Sequence, residues 1–417
     1  MKKFLSAVWC VAVVSASAIG FTGCNQSNRS EVLKISLPSA YMDYDILAEF
    51  ESWYKEQTGE TVKVEKQEFL TVEEVGTKIE TGKEDLDLIC PSDYMVEHLL
   101  KAGLLKKVDK SIVKIEDLIK TSYLDTTKVF DPTLEYAVPY MYGTFGLMYD
   151  YSKTGKHIDS WEAIFTDKDN DTTHEFYKKC SAKFSMREAY ASACIYNNRS
   201  ALNTLSLDGT VYSPVFNAKL QSIYEDATPE TVAAAKQTLN RQKNLIISWD
   251  EETAKFEMAL GNTDLEVALM WSCDAGYVMN DYEDDNGEEH TGNRNLWYVI
   301  PKEGGNVYID AFVIPAYAKN EKAANYFLAF LCQKDIAIAN SEEAGAISPV
   351  KSAYDALYEE YNADDFEMFD GESAEWREMY LDMLFPSAQT LLRCGVMKDF
   401  GDKEQDINRM FTEVTIG

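Results

Sequence analysis

Seven aromatic, hydroxyl-bearing or acidic residues of this sequence stand at or just beyond the ends of short apolar runs. They are Tyr41, Ser92, Tyr94, Trp271, Asp274, Tyr308 and Asp310. The face of an aromatic ring attracts an organic cation, and a buried carboxylate needs a positive partner. Residues of these types, brought together, could bind a small cationic molecule without making or breaking a bond.

The apolar runs before these residues have the composition of buried strands. Val267 to Met270 is apolar throughout, which is typical of a strand covered on both faces, and Leu86 to Cys90 is a second, mostly apolar run. Helical periodicity follows such runs, for example over Tyr44 to Gln57 and over Glu321 to Cys332. The alternation predicts an α/β fold, with parallel sheets covered by helices. Strand ends in such sheets converge on a cleft where ligands bind.

Each of these residues also has an ordinary structural explanation. A tyrosine after a strand is commonly half-buried packing, and an aspartate in a turn is commonly a helix cap. Several such residues at corresponding places in one sheet, or in two facing sheets, favour a shared cleft instead.

Composition limits the possible partners. A chain of 417 residues with 46% hydrophobic residues predicts two or three packed domains. Its net charge of −30 argues against nucleic acid, because phosphate binding uses clustered Lys and Arg. Acidity of this kind is usually a solubility feature.

The first residues have the order of an export signal. Lys2 and Lys3 precede an apolar segment over residues 4–19, and Cys24 follows Thr-Gly. We interpret residues 1–23 as a lipoprotein signal peptide, Cys24 as the lipidated residue and residues 24–31 as a tether. The alternative is an ordinary signal with a chance cysteine. Either interpretation predicts an exported protein, in the periplasm or on the outer face of the cytoplasmic membrane.

Signatures of enzymes, cofactors and metals are absent from the sequence. It contains no Gly-x-Ser-x-Gly elbow, phosphate loop, His-Glu-x-x-His or glycine-rich dinucleotide turn, and its histidines and cysteines lack metal-ligand spacing. We therefore expect no catalysis, no cofactor and no metal, although a glycosidase pair of carboxylates is not excluded by counting. The acidic segment 167–175 departs from a calcium loop at Thr172, and segment 281–295 is predicted to be an exposed, mobile loop.

Several short motifs occur in a fixed order along the chain. They are Cys90-Pro91-Ser92-Asp93-Tyr94, Val138-Pro139-Tyr140-Met141-Tyr142-Gly143, Asp159-Ser160-Trp161, Leu269-Met270-Trp271, Ile300-Pro301-Lys302-Glu303-Gly304-Gly305 and Tyr308-Ile309-Asp310. Together they resemble the bacterial spermidine/putrescine-binding proteins of ABC importers, over a region from Leu33 to about Gly401.

The resemblance implies a two-lobed periplasmic-binding-protein fold, each lobe a mostly parallel sheet flanked by helices, with the ligand cleft between lobes. The first lobe would comprise residues 32–143 and about 311–352, and the second lobe residues 144–310 and about 353–417. It further implies a monomer that delivers its ligand to an ABC permease with its ATPase subunit.

The resemblance also implies roles for individual residues. The aromatic walls of the cleft would be Tyr41, Tyr94, Trp271 and Tyr308. Ser92 would be a polar contact, Glu188 a carboxylate from the second lobe and Asp310 the acid that faces an ammonium group. Asp274 is similar to an acid of the putrescine-preferring branch.

Five positions depart from the family's pattern: Pro38, Ala40, Ser185, Ala346 and Met397. They favour a shorter amine, or a different cation, over spermidine.

A diamine is an apolar rod with an ammonium group at each end, so its site needs a carboxylate for each end and aromatic faces between. Glu188 on one side, and Asp274 with Asp310 on the other, could supply those ends. We therefore interpret the chain as a substrate-binding lipoprotein that captures putrescine or spermidine for import. Two alternatives stay open: a binding protein of the same fold for another small solute, and an exported carbohydrate-active enzyme or adhesin.

Overall fold

The computed structural model describes residues 29–416, apart from 83, 207–211, 284–288, 364–365 and 370. The predicted signal peptide, Cys24 and most of the predicted tether lie outside the described residues. None of the helices in the described ranges is both long enough and apolar enough to cross a membrane.

The strands of the described ranges are short except for two. They are β1 (Val32–Pro38), β2 (Lys63–Phe69), β3 (Leu88–Ile89), β4 (Leu105–Lys106), β5 (Ala137–Asp150), β6 (Cys180–Ser181), β7 (Val267–Trp271), β8 (Tyr282–Glu283), β9 (Glu289–His290), β10 (Leu296–Val299), β11 (Gly305–Pro315) and β12 (Cys394–Gly395). The long strands β5 and β11 are buried over most of their length.

Helices fill most of the connections. They are α1 (Asp45–Thr58), α2 (Val72–Glu80), α3 (Asp93–Lys101), α4 (Ile115–Leu118), α5 (Thr121–Thr127), α6 (Tyr151–Thr154), α7 (Met186–Asn197), α8 (Arg199–Asn203), α9 (Pro214–Tyr224), α10 (Pro229–Leu245), α11 (Glu251–Leu260), α12 (Ser272–Met279), α13 (Glu321–Leu331), α14 (Lys334–Ala344), α15 (Lys351–Tyr361), α16 (Ala374–Leu384), α17 (Ala388–Leu392) and α18 (Glu404–Ile416).

One ten-stranded sheet joins the two lobes. Its main path runs β2-β1-β3-β11-β5-β7-β6, with β10 beside β5 and with β4 and β12 beside β11. The pairs β1–β2, β1–β3 and β6–β7 are parallel, whereas β5 and β11 pair antiparallel with each other over most of their length. The predicted two-lobed α/β fold is confirmed, and β5 and β11 are the strands that both lobes share.

Helices α1 and α13 cover the first lobe, where Phe50 meets Phe327 edge-on at 4.8 Å between ring centroids. Helix α10 packs on α7 and α18, so α18, near the end of the chain, lies in the same helical layer as α7 and α10. The predicted boundaries at residues 143 and 310 fall inside β5 and β11. Because the sheet is continuous there, these boundaries stay a proposal.

A register shift interrupts the pairing of β5 with β11. Asp310 pairs with Met141 and Ala311 pairs with Pro139, so Tyr140 has no partner in the ladder. Proline has no N–H group to donate, and such residues are tolerated at bulges. The irregularity therefore lies directly beside Asp310.

Local predictions agree with the structure to different extents. The helix predicted over Tyr44 to Gln57 is α1, which ends at Gly59 with φ of 73°, a value that glycine adopts readily. The prediction of a loop over residues 281–295 is wrong in part, because β8 and β9 form an antiparallel pair inside it. Short polar strands of two residues give too little periodicity to predict.

A candidate amine site between the lobes

Asp310 of β11 is the centre of the candidate site. Its Oδ2 accepts a hydrogen bond from the Tyr41 hydroxyl at 2.7 Å, and its Oδ1 accepts one from the Ser92 hydroxyl at 2.6 Å. Ser92 also forms a backbone bridge with Asp310, which fixes the start of α3 against β11. Three residues predicted from the sequence are thus in direct contact.

The Asp310 carboxylate is buried, with only 8% of the residue exposed. Burial raises the pKa of Asp310, and the hydrogen bonds from Ser92 and Tyr41 partly oppose that shift. Among the described residues no Lys, Arg or His lies within ion-pair distance of it. A buried carboxylate of this kind would bind an ammonium group favourably, because the ligand supplies the charge that the protein does not.

Aromatic rings lie next to Asp310, on β11 and on the neighbouring strands. Tyr308, two residues earlier and therefore on the same face of the strand, meets Trp271 edge-on with ring centroids 4.7 Å apart. Trp271 in turn packs against Phe145 at 5.7 Å. The two predicted wall residues, Tyr308 and Trp271, are therefore neighbours.

Gly143 of β5 makes room for the Tyr308 ring. A Cβ atom added to Gly143 would lie 2.4 Å from the Tyr308 hydroxyl oxygen. Only glycine allows the ring to lie this close to the backbone of the neighbouring strand. Packing against Tyr308 thus explains why the motif from Val138 to Gly143 ends in a glycine.

Glu188 is buried near the start of α7 and accepts a hydrogen bond from the Ser185 hydroxyl. Its charge contributes to raising the pKa of Tyr94, whose largest cause is burial. Ser185, one of the departures from the family pattern, therefore holds the Glu188 carboxylate. Glu188 is thus near enough to Tyr94 for its charge to act on the phenol.

Asp93 is a candidate residue that sequence reasoning missed. It is 1% exposed, and its Oδ1 and Oδ2 accept the backbone N–H groups of Tyr94 and Ile309 at 2.7 and 3.4 Å. Burial raises the pKa of Asp93 well above its usual range, and the nearby Asp310 charge adds to the effect. Its only signal in the sequence was its position between Ser92 and Tyr94, where an aspartate resembles an ordinary helix cap.

One face of the Tyr94 ring is covered by another side chain of the protein. The Arg187 guanidinium carbon lies 3.6 Å from the centre of the Tyr94 ring, and the Tyr94 hydroxyl donates to Glu73 Oε1 at 2.9 Å. Arg187 is held by Glu404 at 2.7 Å. A cation of α7 therefore covers one face of an aromatic residue predicted to contact the ligand.

Asp274 is also paired within the protein. Its Oδ1 lies 3.0 Å from Lys255 Nζ, and both side chains are largely buried. A second lysine, Lys183, has its Nζ 5.5 Å from the centre of the Trp271 ring. Asp274 therefore already has a cation partner within the protein, and its action together with Asp310 at one end of a diamine stays a prediction.

Two lobes that share a pair of long strands, with a buried carboxylate and aromatic rings beside those strands, define a solute-binding protein. The chain matches the model of the bacterial extracellular solute-binding protein family over residues 46–367, and it belongs to that family. The resemblance seen in the sequence motifs is thereby confirmed at the level of the family.

Individual relatives are more distant. The chain is 25% identical over 345 residues to the putrescine-binding periplasmic protein SpuD of Pseudomonas aeruginosa, covering 81% of this chain and 82% of that relative. It is 26% identical over 343 residues to the putrescine-binding periplasmic protein PotF of Escherichia coli, covering 80% and 81%. The crystal structure of PotD, the substrate-binding protein of a spermidine/putrescine ABC transporter of Streptococcus pneumoniae, superposes with a TM-score of 0.66 at 21% identity, covering 93% of this chain and 99% of that chain.

Proposed function

We propose that the chain is the capture component of an ABC importer for a small linear polyamine, of which a diamine such as putrescine fits best. The observation that carries the proposal is the Asp310 carboxylate, which is buried, held by the Tyr41 and Ser92 hydroxyls and lacks a protein cation among the described residues. The names of SpuD and PotF support the same ligand class.

The chemistry of the neighbouring residues fits a diamine. One ammonium group would bind Asp310, the methylene chain would lie against Tyr308 and Trp271, and the second ammonium group would approach Glu188. An ammonium group over an aromatic face gains roughly 0.5–2 kcal/mol, depending on how far it is desolvated. No step in this scheme makes or breaks a bond, so we propose a binding protein and no enzyme.

Contacts between the lobes support a closed form that depends on the ligand. Lys398 and Asp399, which follow β12, contact Glu97 of α3: Lys398 Nζ lies 2.7 Å from Glu97 Oε1, and the Asp399 N–H donates to Glu97 Oε2 at 3.0 Å. A ligand held by groups of both lobes would favour this form over an open one, and the permease would recognise it.

Export, a lipid on Cys24 and action as a monomer complete the proposal. The periplasmic relatives support export, and the sequence alone supports the lipid. An anchor of this kind would keep the protein near the permease.

Isothermal titration calorimetry of residues 25–417 with putrescine, cadaverine and spermidine tests the function. We expect Asp310→Asn and Glu188→Gln each to weaken putrescine binding by about tenfold or more, because each removes one charge partner of a buried ammonium group. Asp159→Asn is the matched control, since Asp159 is an exposed partner of Lys302. Both site variants staying within a factor of two of the unmodified chain would contradict the assignment.

A further inference from the structure

Arg187 lies between two parts of the chain that the proposed division assigns to different lobes. Its Nη2 lies 2.7 Å from Glu404 Oε2, and its Nη1 donates to the Lys398 carbonyl oxygen at 3.0 Å; that division places both partners with α7 in the second lobe. Its guanidinium carbon lies 3.6 Å from the centre of the Tyr94 ring, on α3 in the first. The side chain is therefore anchored on one side and stacked on the other.

Glu73 of α2 extends the contact beyond the Tyr94 ring. Its Oε1 accepts the Tyr94 hydroxyl at 2.9 Å and lies 3.7 Å from Arg187 Nε. The Arg187 side chain is 6% exposed, whereas the Glu73 side chain is 49% exposed. Water screens the exposed carboxylate strongly, and a desolvated cation over an aromatic face is attracted more strongly than an exposed one. The stack on Tyr94 is therefore the stronger part of the contact.

The burial of Arg187 is only partly compensated. Its Nε is shielded from water and has no hydrogen-bond partner among the described residues. A buried N–H group without an acceptor costs free energy, and so does the desolvation of a charge. We therefore expect the contact between α7 and α3 to be weak in the absence of a ligand, and a ligand that draws these two helices together to stabilise it.

The residues next to this contact belong to the candidate amine site. Glu188 directly follows Arg187 in α7. Ser92 precedes Tyr94 by two positions and donates a hydrogen bond to Asp310 Oδ1 at 2.6 Å. A movement that places Arg187 on Tyr94 therefore also brings Glu188 toward the site.

We propose that Arg187 is a positioning residue that holds the closed form together after an amine has bound, and that it thereby sets the rate at which the amine leaves. The stack on Tyr94 forms as the lobes close, so its loss should speed up release of the ligand and leave the first encounter nearly unchanged. The inference rests on the proposed function and adds a kinetic role to it.

Stopped-flow measurement of putrescine association and dissociation tests this role. We expect Arg187→Gln to raise the dissociation rate by about tenfold and to change the association rate by less than about twofold. Arg199→Gln is the matched control and should leave both rates unchanged. Arg199 also stacks on a tyrosine, 4.0 Å from the centre of the Tyr196 ring, and pairs with Glu162, but all three residues belong to the second lobe of the proposed division.

A second comparison separates the stack from the ion pair with Glu404, which Arg187→Gln also removes. Tyr94→Leu removes the ring, and in that background Arg187→Gln should add little to the dissociation rate. Tyr94→Phe keeps the ring and should preserve the full effect of Arg187→Gln. Arg187→Lys keeps the cation without the planar group, so it should restore the rate in part, and it replaces Arg187→Gln if thermal unfolding shows that the glutamine variant is not folded.

The outcomes separate the two proposals. A chain that binds no amine contradicts the proposed function and this inference together. Putrescine binding with an unchanged dissociation rate in the folded Arg187 variant overturns the role of Arg187 and leaves the proposed function standing. An increase that is equally large with and without the Tyr94 ring does the same, because it would come from the loss of the Glu404 pair alone.

Discussion

Tyr41 donates a hydrogen bond to Asp310 at 2.7 Å, although 269 positions separate the two residues in the chain. Tyr41 comes from the segment after β1, and Asp310 lies within β11. The contact therefore joins the segment after the first strand to the strand on which the candidate site is built.

Tyr41→Phe tests the hydrogen bond without removing the ring. The Asp310 carboxylate would lose one of its two side-chain donors, and its charged form would be stabilised less. We expect putrescine affinity to fall by about three- to tenfold, in line with the ~1 kcal/mol typical of one hydrogen bond. Tyr44→Phe is the matched control, because Tyr44 is exposed and donates to Glu68 at 3.0 Å. Equal affinities for both variants would contradict a role for this hydroxyl.

Amine binding should weaken as the pH falls. Burial raises the pKa of Asp310, and only its ionised form attracts an ammonium group. The raised pKa of Asp310 lies above its usual value of 3.8. As the pH falls through this pKa, Asp310 takes up a proton, and amine binding must then displace that proton. Calorimetry at mildly acidic pH, in two buffers of different ionisation enthalpy, measures the number of protons released. Asp310→Asn should abolish that release if Asp310 is its source, and unchanged release in the variant would assign it elsewhere.

The contribution of Asp310 to the stability of the ligand-free protein should have the opposite pH dependence to its contribution to amine binding. Since its pKa is raised in the folded state, the folded chain holds this proton more tightly than the unfolded chain. The contribution of Asp310 to stability is therefore greatest below the unfolded pKa and is lost as the pH rises through the folded pKa. Asp310→Asn should remove this part of the pH dependence, which chemical denaturation at several pH values would detect.

His98 contacts two carboxylates from distant parts of the chain. Its Nε2 lies 2.5 Å from Glu80, and its Nδ1 lies 3.1 Å from Asp399, beside Lys101 and Glu97. Burial lowers the pKa of His98, but the hydrogen bonds and charges of Glu80 and Asp399 outweigh it, so the pKa is raised.

The His98 contribution should be complete below the unfolded pKa, near 6.5, and should vanish as the pH rises through the folded pKa. We expect His98→Gln to lower the free energy of unfolding by no more than about 1 kcal/mol at pH 5.5, since the side chain is partly exposed, and to have less effect at pH 8.5. Denaturation at both pH values measures the difference. His157→Gln is the control, because His157 accepts or donates a bond with Tyr149 and has no carboxylate partner among the contacts described. An effect of His98→Gln that grows with pH would contradict the assignment.

Gly143→Ala should damage the aromatic wall. The added Cβ would lie 2.4 Å from the Tyr308 hydroxyl oxygen, so the ring must move. We expect a loss of roughly 1–3 kcal/mol in the free energy of unfolding, as for other overpacked sites, together with weaker putrescine binding. Gly276→Ala is the control, because its Cβ would meet only ordinary contacts, the nearest at 3.5 Å. This prediction is contradicted if Gly143→Ala equals the control in free energy of unfolding and in putrescine affinity, since the Tyr308 ring would then move without loss of stability or binding.

The sequence predicts those parts of the site that depend on local pattern. Asp310 was predicted to close a strand, but it lies in the middle of β11, which continues to Pro315. Tyr41 and Ser92 each follow an apolar strand, and strands of one sheet bring such positions together, so their approach to one site was predictable. The neutralisation of Asp274 by Lys255 was not, because it depends on how α11 packs against α12. The same holds for Arg187 over Tyr94, where the two residues lie 93 positions apart in the chain, on α7 and α3. Asp93 was missed because an aspartate at a helix start has a sufficient local explanation.

The irregular pairing beside Asp310 has a mechanical consequence. A ladder that skips Tyr140 is bent and more strongly twisted there, and the Asp310 carboxylate lies within one residue of that bend, so we predict that the lobes turn about this point. Residues near a hinge move least, so Asp310, Tyr41 and Ser92 should keep nearly the same arrangement in the open and closed forms of the protein. Glu188, in the other predicted lobe, should move most. An amine would then bind first to Asp310, and Glu188 would contact it afterwards as the lobes close.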